Sequence, residues 1–226
     1  ECSHVSYGYS SDALVLTDIN LKIAPGECLA LVGRSGSGKT TLARLIGGSL
    51  SALDGTIRVL GKPVGNGEFP TDKYEDGRPR LLVCTQEAYI FFGTVIDNFT
   101  AVVPEATEKQ IGEALDAVSA RWWRELPQGL KTRIGTGEHE LTRDQIQQLA
   151  LARIVAANPH AVILDESTTQ LELVDATESL QAVLANRAVL IISHDARIAS
   201  LADRAVLLQE GMITAEGTPA EIFALT

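Results

Sequence analysis

One stretch constrains this chain more than any other: Cys28-Leu-Ala-Leu-Val32, then Gly33, Arg34, Ser35, Gly36, Ser37, Gly38, Lys39, Thr40 and Thr41. A short apolar run follows the turn Pro25-Gly26-Glu27 and enters a glycine-rich loop, after which Thr41-Leu-Ala-Arg-Leu-Ile46 resumes at helical spacing. The order is strand, loop, helix. The loop fits G-x-x-x-x-G-K-[ST] at every fixed position, and each position has a mechanical reason. Glycines let successive backbone N–H groups curl around an anion, and the helix N-terminus directs its partial positive charge inward. Lys39 would reach the β- and γ-phosphates of a nucleotide, and the Thr40 hydroxyl would ligate Mg²⁺. A glycine-rich turn that binds nothing is disfavoured by the strand and helix on either side.

A chain of 226 residues suffices for one large domain or two small ones, and 45% apolar residues are enough for a sizeable core. The formal net charge of −10 argues against a groove that attracts nucleic acid over long range. Nucleotide binding survives that objection, because phosphates would meet local N–H groups and Mg²⁺. Cys2, Cys28 and Cys84 are odd in number and show no metal or redox spacing, which suggests a reduced, cytosolic setting. No apolar run approaches the ~18 residues that span a bilayer, and no signal peptide is visible. The chain opens on Glu1 without an initiator methionine, as expected of a piece of a longer polypeptide.

Along the chain, residues 2–23 alternate apolar and polar and read as antiparallel strands ahead of the phosphate loop. Tyr7 and Tyr9 share a face there, and one of them could stack on an adenine ring; packing is the plainer role. Thr56-Ile-Arg-Val-Leu60 is a further strand, Gly61 to Arg80 a surface loop rich in glycine, proline and charge, and Leu81 to Gln86 a buried strand. From 88 to 140 the strand signal fades and Glu108 to Val118 takes helical spacing, which points to a helical insert within an α/β core. Trp122 and Trp123 fall in it as packing anchors. Thr142 and Gln145 form a capping box ahead of the helical run Ile146 to Ala157, which stops at Asn158-Pro159. Ala161 to Glu166 is a strand ending in two acids. A helix over about 173–185, a strand from Ala188 to His194, two β-like runs (205–208 and 212–215) and a short helix from about Pro219 complete the chain.

In an open parallel sheet, ligands lie at the carboxyl ends of the strands, and those ends here carry Gly33, Gln86, Asp165 with Glu166, and His194. Asp165 suits Mg²⁺ as a hard oxygen ligand on a rigid strand. Glu166 is placed to orient an attacking water, Gln86 could contact either the metal or that water, and His194 could donate a hydrogen bond to the γ-phosphate. Each residue alone has a structural explanation; their joint appearance in this order after a phosphate loop points to a site.

These residues resemble the nucleotide-binding domain of an ATP-binding cassette (ABC) transporter over nearly the whole chain. The resemblance implies an α/β P-loop NTPase core with a mostly parallel sheet, an N-terminal antiparallel β-subdomain and an inserted α-helical subdomain. Residues 1–226 would be a single domain, with 1–87 and 158–226 as core and 88–157 as the helical subdomain. Gly33 to Thr41 is similar to the Walker A motif, Gln86 to the Q-loop and Val162 to Asp165 to the Walker B strand. Glu166 matches the catalytic glutamate, His194 the switch histidine and Tyr9 the A-loop aromatic. The run Gln86 to Asn98, with Gly93-Thr94-Val-Ile-Asp-Asn98, is similar to the exporter branch. The resemblance therefore implies ATP and Mg²⁺, ATP hydrolysis, a second ABC domain as partner, a transmembrane domain fused upstream, and a place at the cytoplasmic face of the membrane, with no nucleic acid involved.

Three segments depart from the family pattern. Where the family has Leu-Ser-Gly-Gly-Gln, the chain has Leu141, Thr142, Arg143, Asp144 and Gln145, so both glycines are lost. Thr132 to Glu138 and Thr169-Gln-Leu-Glu172 also depart from the exporter patterns. Family domains pair head to tail, and each signature segment serves the neighbour's ATP, so this chain's own machinery looks intact while the part it lends is altered. A heterodimeric exporter with one degenerate site is the expectation. The alternatives are a soluble ABC ATPase working on DNA or the ribosome, which the acidic charge and lack of heptads oppose, and a regulatory module that binds ATP without hydrolysing it.

Overall fold

Five consecutive apolar residues, Cys28–Val32, form a strand buried along its whole length, and a sheet is assembled around it. The computed structural model describes residues 1–10, 13–65, 73–85, 88–135, 137–166 and 173–226, without the side chains of 173–176. In chain order the elements begin with β1 (Cys2–Tyr7), β2 (Leu16–Leu21), β3 (Cys28–Val32), α1 (Lys39–Ile46), β4 (Asp54–Val59), β5 (Lys62–Pro63) and β6 (Leu81–Cys84). Then come β7 (Gly93–Thr94), α2 (Val95–Thr100), α3 (Glu108–Ala117), two 3₁₀ turns, β8 (Arg133–Ile134) and α4 (Arg143–Ala157). The chain ends with β9 (Ala161–Asp165), α5 (Leu173–Leu184), β10 (Ala188–Ile192), α6 (Ala196–Ala199), β11 (Arg204–Gln209), β12 (Met212–Gly217) and α7 (Pro219–Phe223).

The chain divides into two compact units, the first made of Glu1–Val83, His160–Glu166 and Asn186–Thr226. Its main sheet runs β12-β11-β3-β10-β9-β6. β11, β3, β10 and β9 are parallel, and only β12 is shown to run against its neighbour. After β3 the chain goes out to β6 and returns through β9 and β10 to one flank of β3, then passes to β11 on the other flank. β3 is therefore the switch point of the sheet, where the crevice beyond the strand ends opens. A second, antiparallel sheet runs β2-β1-β4-β5, with Val5 opposite Ile19 and Cys2 opposite Ile57. The apolar face of each sheet and of α1 meet in one core that includes Val5, Ile19, Leu29, Leu42, Ile163 and Leu190. Complete burial of each large aliphatic chain contributes roughly 1.5–3 kcal/mol, so this core fixes the register on which the strand ends depend.

The expected strands over residues 2–23 are β1 and β2. The segment expected to be a loop, Gly61 to Arg80, carries the two-residue β5 and an isolated bridge between Lys73 and Pro79, while 66–72 lie outside the described residues. Leu81 to Gln86 is a strand only as far as Cys84, with Gln86 outside the described residues.

The second unit contains Cys84–Pro159 and α5. Three of its helices open on a capping box: Thr94 with Asp97 for α2, Thr107 with Gln110 for α3, and Thr142 with Gln145 for α4. At α4 the Gln145 N–H donates to Thr142 Oγ1 at 3.3 Å and the Thr142 N–H donates to Gln145 Oε1 at 2.9 Å, so two end groups are satisfied at once. Asn158, with φ at +44°, ends α4 in a left-handed residue before Pro159. Phe99, Ile111, Leu115 and Leu149 are fully buried. Arg153 on α4 reaches the Tyr89 carbonyl at 2.7 Å and Asn98 Oδ1 at 2.5 Å. The short helix α2 and the two-residue pair β7–β8 add to the helical insert expected here.

Candidate functional site

The loop from Gly33 to Gly38 leaves β3 and enters α1 directly, with Gly38 as the helix N-cap. The Ser37 N–H donates to the Arg34 carbonyl at 3.2 Å, which curls the loop. A side chain at Gly33 would place its Cβ 2.2 Å from the Leu208 carbonyl oxygen, and one at Gly38, where φ is +107°, would lie 2.7 Å from Leu16 Cδ2. Both positions need glycine because the loop is pressed onto its own scaffold. Gly36, at φ +80°, faces open space and needs glycine for its backbone alone.

Lys39 is buried, and its Nζ donates to the carbonyls of Gly33 at 2.7 Å and Arg34 at 2.9 Å. Burial lowers its pKa below the ordinary lysine value, while Glu166 and Asp165 act in the opposite direction. Among the described residues the buried Ser37 Oγ has no hydrogen-bond partner. A curled backbone, an ammonium held by two loop carbonyls and a buried hydroxyl without a partner among the described residues together fit a polyanion laid along the loop.

The register of the sheet brings the acids to the same edge. Ile192 of β10 pairs with Leu31 of β3 on one side and with Asp165 of β9 on the other, so the phosphate loop, Ser193-His194 and Asp165-Glu166 follow three neighbouring parallel strands. Asp165 is buried and accepts a long hydrogen bond from Thr40 Oγ1 at 3.5 Å. Burial raises its pKa, the Thr40 hydrogen bond counters this, and the Glu166 charge adds to the rise. Among the described residues no group of three His, Cys, Asp or Glu could hold a metal. One carboxylate and one hydroxyl are hard oxygen donors, which fit a Mg²⁺ whose remaining ligands come from phosphates and water.

Glu166 has φ at +50°, an uncommon conformation for a non-glycine residue, and its N–H donates to the Ile192 carbonyl at 3.0 Å. Its Oε1 lies 3.5 Å from His194 Nδ1, with His194 exposed and Glu166 partly so. Tyr7 and Tyr9 separate clearly: Tyr7 is in the core, whereas Tyr9 is 63% exposed with its hydroxyl 3.2 Å from Thr41 Oγ1. The two rings meet edge to face at 5.1 Å.

The altered segment lies at the start of α4. Leu141 is buried, Thr142 and Gln145 are engaged in the cap, and Arg143 and Asp144 are exposed with no ion pair or side-chain hydrogen bond among the described residues. Gln86, Thr136 and the stretch 169–172 lie outside the described residues. Sequence reading singled out His194 but not what steadies its turn. The Asp195 N–H donates to the buried Ser193 Oγ at 3.0 Å, and the Asp195 carboxylate pairs with Arg197 at 2.7 Å. That pairing is the main reason the Asp195 pKa falls to about 2. The signal was available as an Asp ahead of a short helical run with Arg two residues later.

The profile of the ABC transporter family matches residues 16–169, more than half of the chain, and the chain belongs to that family. It is 34% identical over 222 residues to the heterocyst differentiation ATP-binding protein HepA of Nostoc sp., covering 96% of this chain and 36% of that protein. It is likewise 34% identical over 229 residues to a putative multidrug export ATP-binding/permease protein of Staphylococcus aureus, covering 99% of this chain and 39% of the relative. The chain thus spans well under half the length of these relatives. Among solved structures, a bacterial Atm1-family ABC exporter with ATP bound superposes with a TM-score of 0.82 at 24% identity, over 99% of this chain and 39% of that one. The fold is the α/β P-loop fold of an ABC ATPase, as in the ABC exporter on which it superposes, and domains of this family bind ATP, generally with Mg²⁺.

Proposed function

We propose that this chain binds ATP with Mg²⁺ at its phosphate loop and hydrolyses it to power export by a transmembrane domain fused upstream. The observation that carries the reading is the convergence of the loop, Asp165-Glu166 and His194 on three neighbouring strand ends. Backbone N–H groups from Gly33, Arg34, Ser35, Gly36, Ser37 and Gly38 would surround the phosphates, joined by Thr40 and Thr41 at the helix start. Lys39 Nζ would exchange its two carbonyl partners for β- and γ-phosphate oxygens, a swap favoured because a charged acceptor binds an ammonium more strongly than a neutral one. Tyr9, exposed beside Thr41, would stack on the adenine.

Thr40, Asp165 and Gln86 would hold Mg²⁺, which when bound offsets the negative charge of the phosphate oxygens. Glu166 would take a proton from the attacking water as its oxygen bonds to the γ-phosphorus. The bond from that phosphorus to the bridging oxygen breaks, leaving ADP and phosphate. His194 would hydrogen-bond the γ-phosphoryl oxygens. The test is Glu166→Gln: ATP affinity should persist while turnover falls by about 10²-fold or more. Wild-type turnover in that variant would remove Glu166 from this role.

The finer reading is a heterodimer. A second ABC domain would complete each nucleotide site with the start of its own signature helix, and Leu141, Thr142, Arg143, Asp144 and Gln145 are what this chain lends. Arg143 and Asp144 occupy the positions where glycines would let backbone approach a γ-phosphate, and Asp144 brings negative charge toward a polyanion. ATP on this chain's loop would then turn over against a partner's intact signature, while ATP on the partner's loop would turn over slowly. If the chain alone hydrolysed ATP as fast as its mixture with a cognate partner, the heterodimer would be excluded. The altered signature also favours a second reading, an ATP-binding regulatory module, which single-turnover hydrolysis with the partner would eliminate. Among the described residues no helix is long and apolar enough to cross a membrane; the proposed fusion to an exporter's transmembrane domain is what would place this part at the cytoplasmic face.

A further inference from the structure

The first unit contains a cavity of about 280 Å³ away from the phosphate loop. Its walls come from both sheets, and include Cys2, Leu21, Val59, Leu81, Ile163 and Leu190. β9 enters it with Ala161 and reaches the nucleotide edge only at Asp165, so the cavity and the phosphate loop lie toward opposite ends of the same strands. The mouth is polar. His160 lies there with its ring already engaged: the Arg78 guanidinium donates to Nδ1 at 3.2 Å and Nε2 faces Asp76 at 3.0 Å. Lys22 and Arg58 also line it, both are exposed, and neither has a carboxylate partner among the described residues. Arg58 spends one N–H on the Gly61 carbonyl at 3.0 Å. Among the described residues Glu1 is the one acid lining the cavity; its carboxylate pairs with neither cation, while its N–H donates to the Arg58 carbonyl at 2.8 Å.

Two cations at the mouth of an apolar cavity, neither with a carboxylate partner among the described residues, are unexpected in a chain with a net charge of −10. We infer that this cavity is a binding site for a single-chain aliphatic carboxylate, with the acyl tail among the aliphatic walls and the head group at Lys22 and Arg58. Size supports the assignment: a cavity of about 280 Å³ lies near the lower end of the roughly 300–1,000 Å³ range of small-molecule sites, which suits a short acyl chain. Apolar walls with a few convergent polar groups are the usual make-up of a small-molecule site. Charge at the mouth then selects among amphiphiles of equal length, because the tail contributes equally for each and the head group does not.

The experiment titrates the full chain with octanoate, octanol and octylammonium by calorimetry, with and without ATP and Mg²⁺. Octanoate should bind with a Kd on the order of 100 μM, octanol about tenfold more weakly, and octylammonium not measurably. ATP should leave the octanoate Kd unchanged. Lys22→Glu with Arg58→Glu, both on exposed side chains, should weaken octanoate by about tenfold or more while leaving octanol unaffected. Ala188→Leu, which adds a side chain to the wall, should abolish binding of both. Octanoate binding no tighter than octanol, competition by ATP, or an unchanged Kd in the Lys22/Arg58 double variant would each overturn the assignment. The double variant decides the matter even if Ala188→Leu does not fold.

Discussion

Lys39 shows how much depends on a single side chain. Its ammonium is buried against two loop carbonyls, an arrangement that is adequate at rest and better satisfied by phosphate oxygens. Lys39→Ala should therefore lower ATP affinity by about 10- to 100-fold, the range expected on losing charged hydrogen bonds of about 1.5–3 kcal/mol; equilibrium binding of a fluorescent ATP analogue measures it. Asp195 allows a prediction with a pH sign. Its hydrogen bonds to Arg197 hold its pKa at about 2, below the ordinary carboxylate range. A depressed carboxylate contributes stability above its unfolded-state pKa and loses it as the pH falls toward 2. Both partners are at least partly exposed, so the ion pair itself is worth little, and the cap on α6 is the larger part. Asp195→Ala should cost about 1 kcal/mol at neutral pH, and the gap to wild type should narrow in denaturant titrations once the pH drops below the ordinary carboxylate range.

At the scale of elements, the capping boxes were the most legible feature of the helical region, because each is a local bargain between residues three apart. Thr142 with Gln145 predicted the start of α4, and the cap lies there. Thr142→Ala should lower stability by about 1 kcal/mol, read as a shift in the urea midpoint at unchanged slope. The same logic would have found α2 from Thr94 and Asp97, but a six-residue helix is too short to show periodicity, so only the cap could have announced it. β7 and β8, two residues each, carry no period-two signal at all. Individual strands of the main sheet were readable from their apolar runs, whereas the order β12-β11-β3-β10-β9-β6 was not. Order is decided by which buried faces pack together, and that information is spread over residues as far apart in sequence as Leu29 and Arg204. The candidate site was legible all the same, since its residues end apolar runs and such ends converge in any parallel sheet. Alternation alone could not separate Tyr7 from Tyr9, because both lie on one face in sequence; the family resemblance singled out Tyr9, and the structure buries Tyr7 and leaves Tyr9 exposed.

For the molecule as a whole, the question is whether one altered segment sets how two ATP sites share the work. In the proposed reading Lys39, Asp165, Glu166 and His194 would serve this chain's own nucleotide, whereas Arg143 and Asp144 belong to the segment it would present to a neighbour. Arg143 and Asp144 lie in the first turn of α4, exposed and tied to nothing among the described residues, so they can be changed without disturbing the cap formed by Thr142 and Gln145. Arg143→Gly with Asp144→Gly recreates a segment through which backbone could approach a phosphate, while two glycines in a first helical turn cost only about 1 kcal/mol each. If the altered signature alone limits the chain, this double variant should hydrolyse ATP as a homodimer at least tenfold faster than the wild-type chain. Adding Glu166→Gln to the same protein should then remove the gain. A double variant that folds, binds ATP and pairs with itself, yet stays as slow as the parent, would place the limit elsewhere in the chain and end the degenerate-site account.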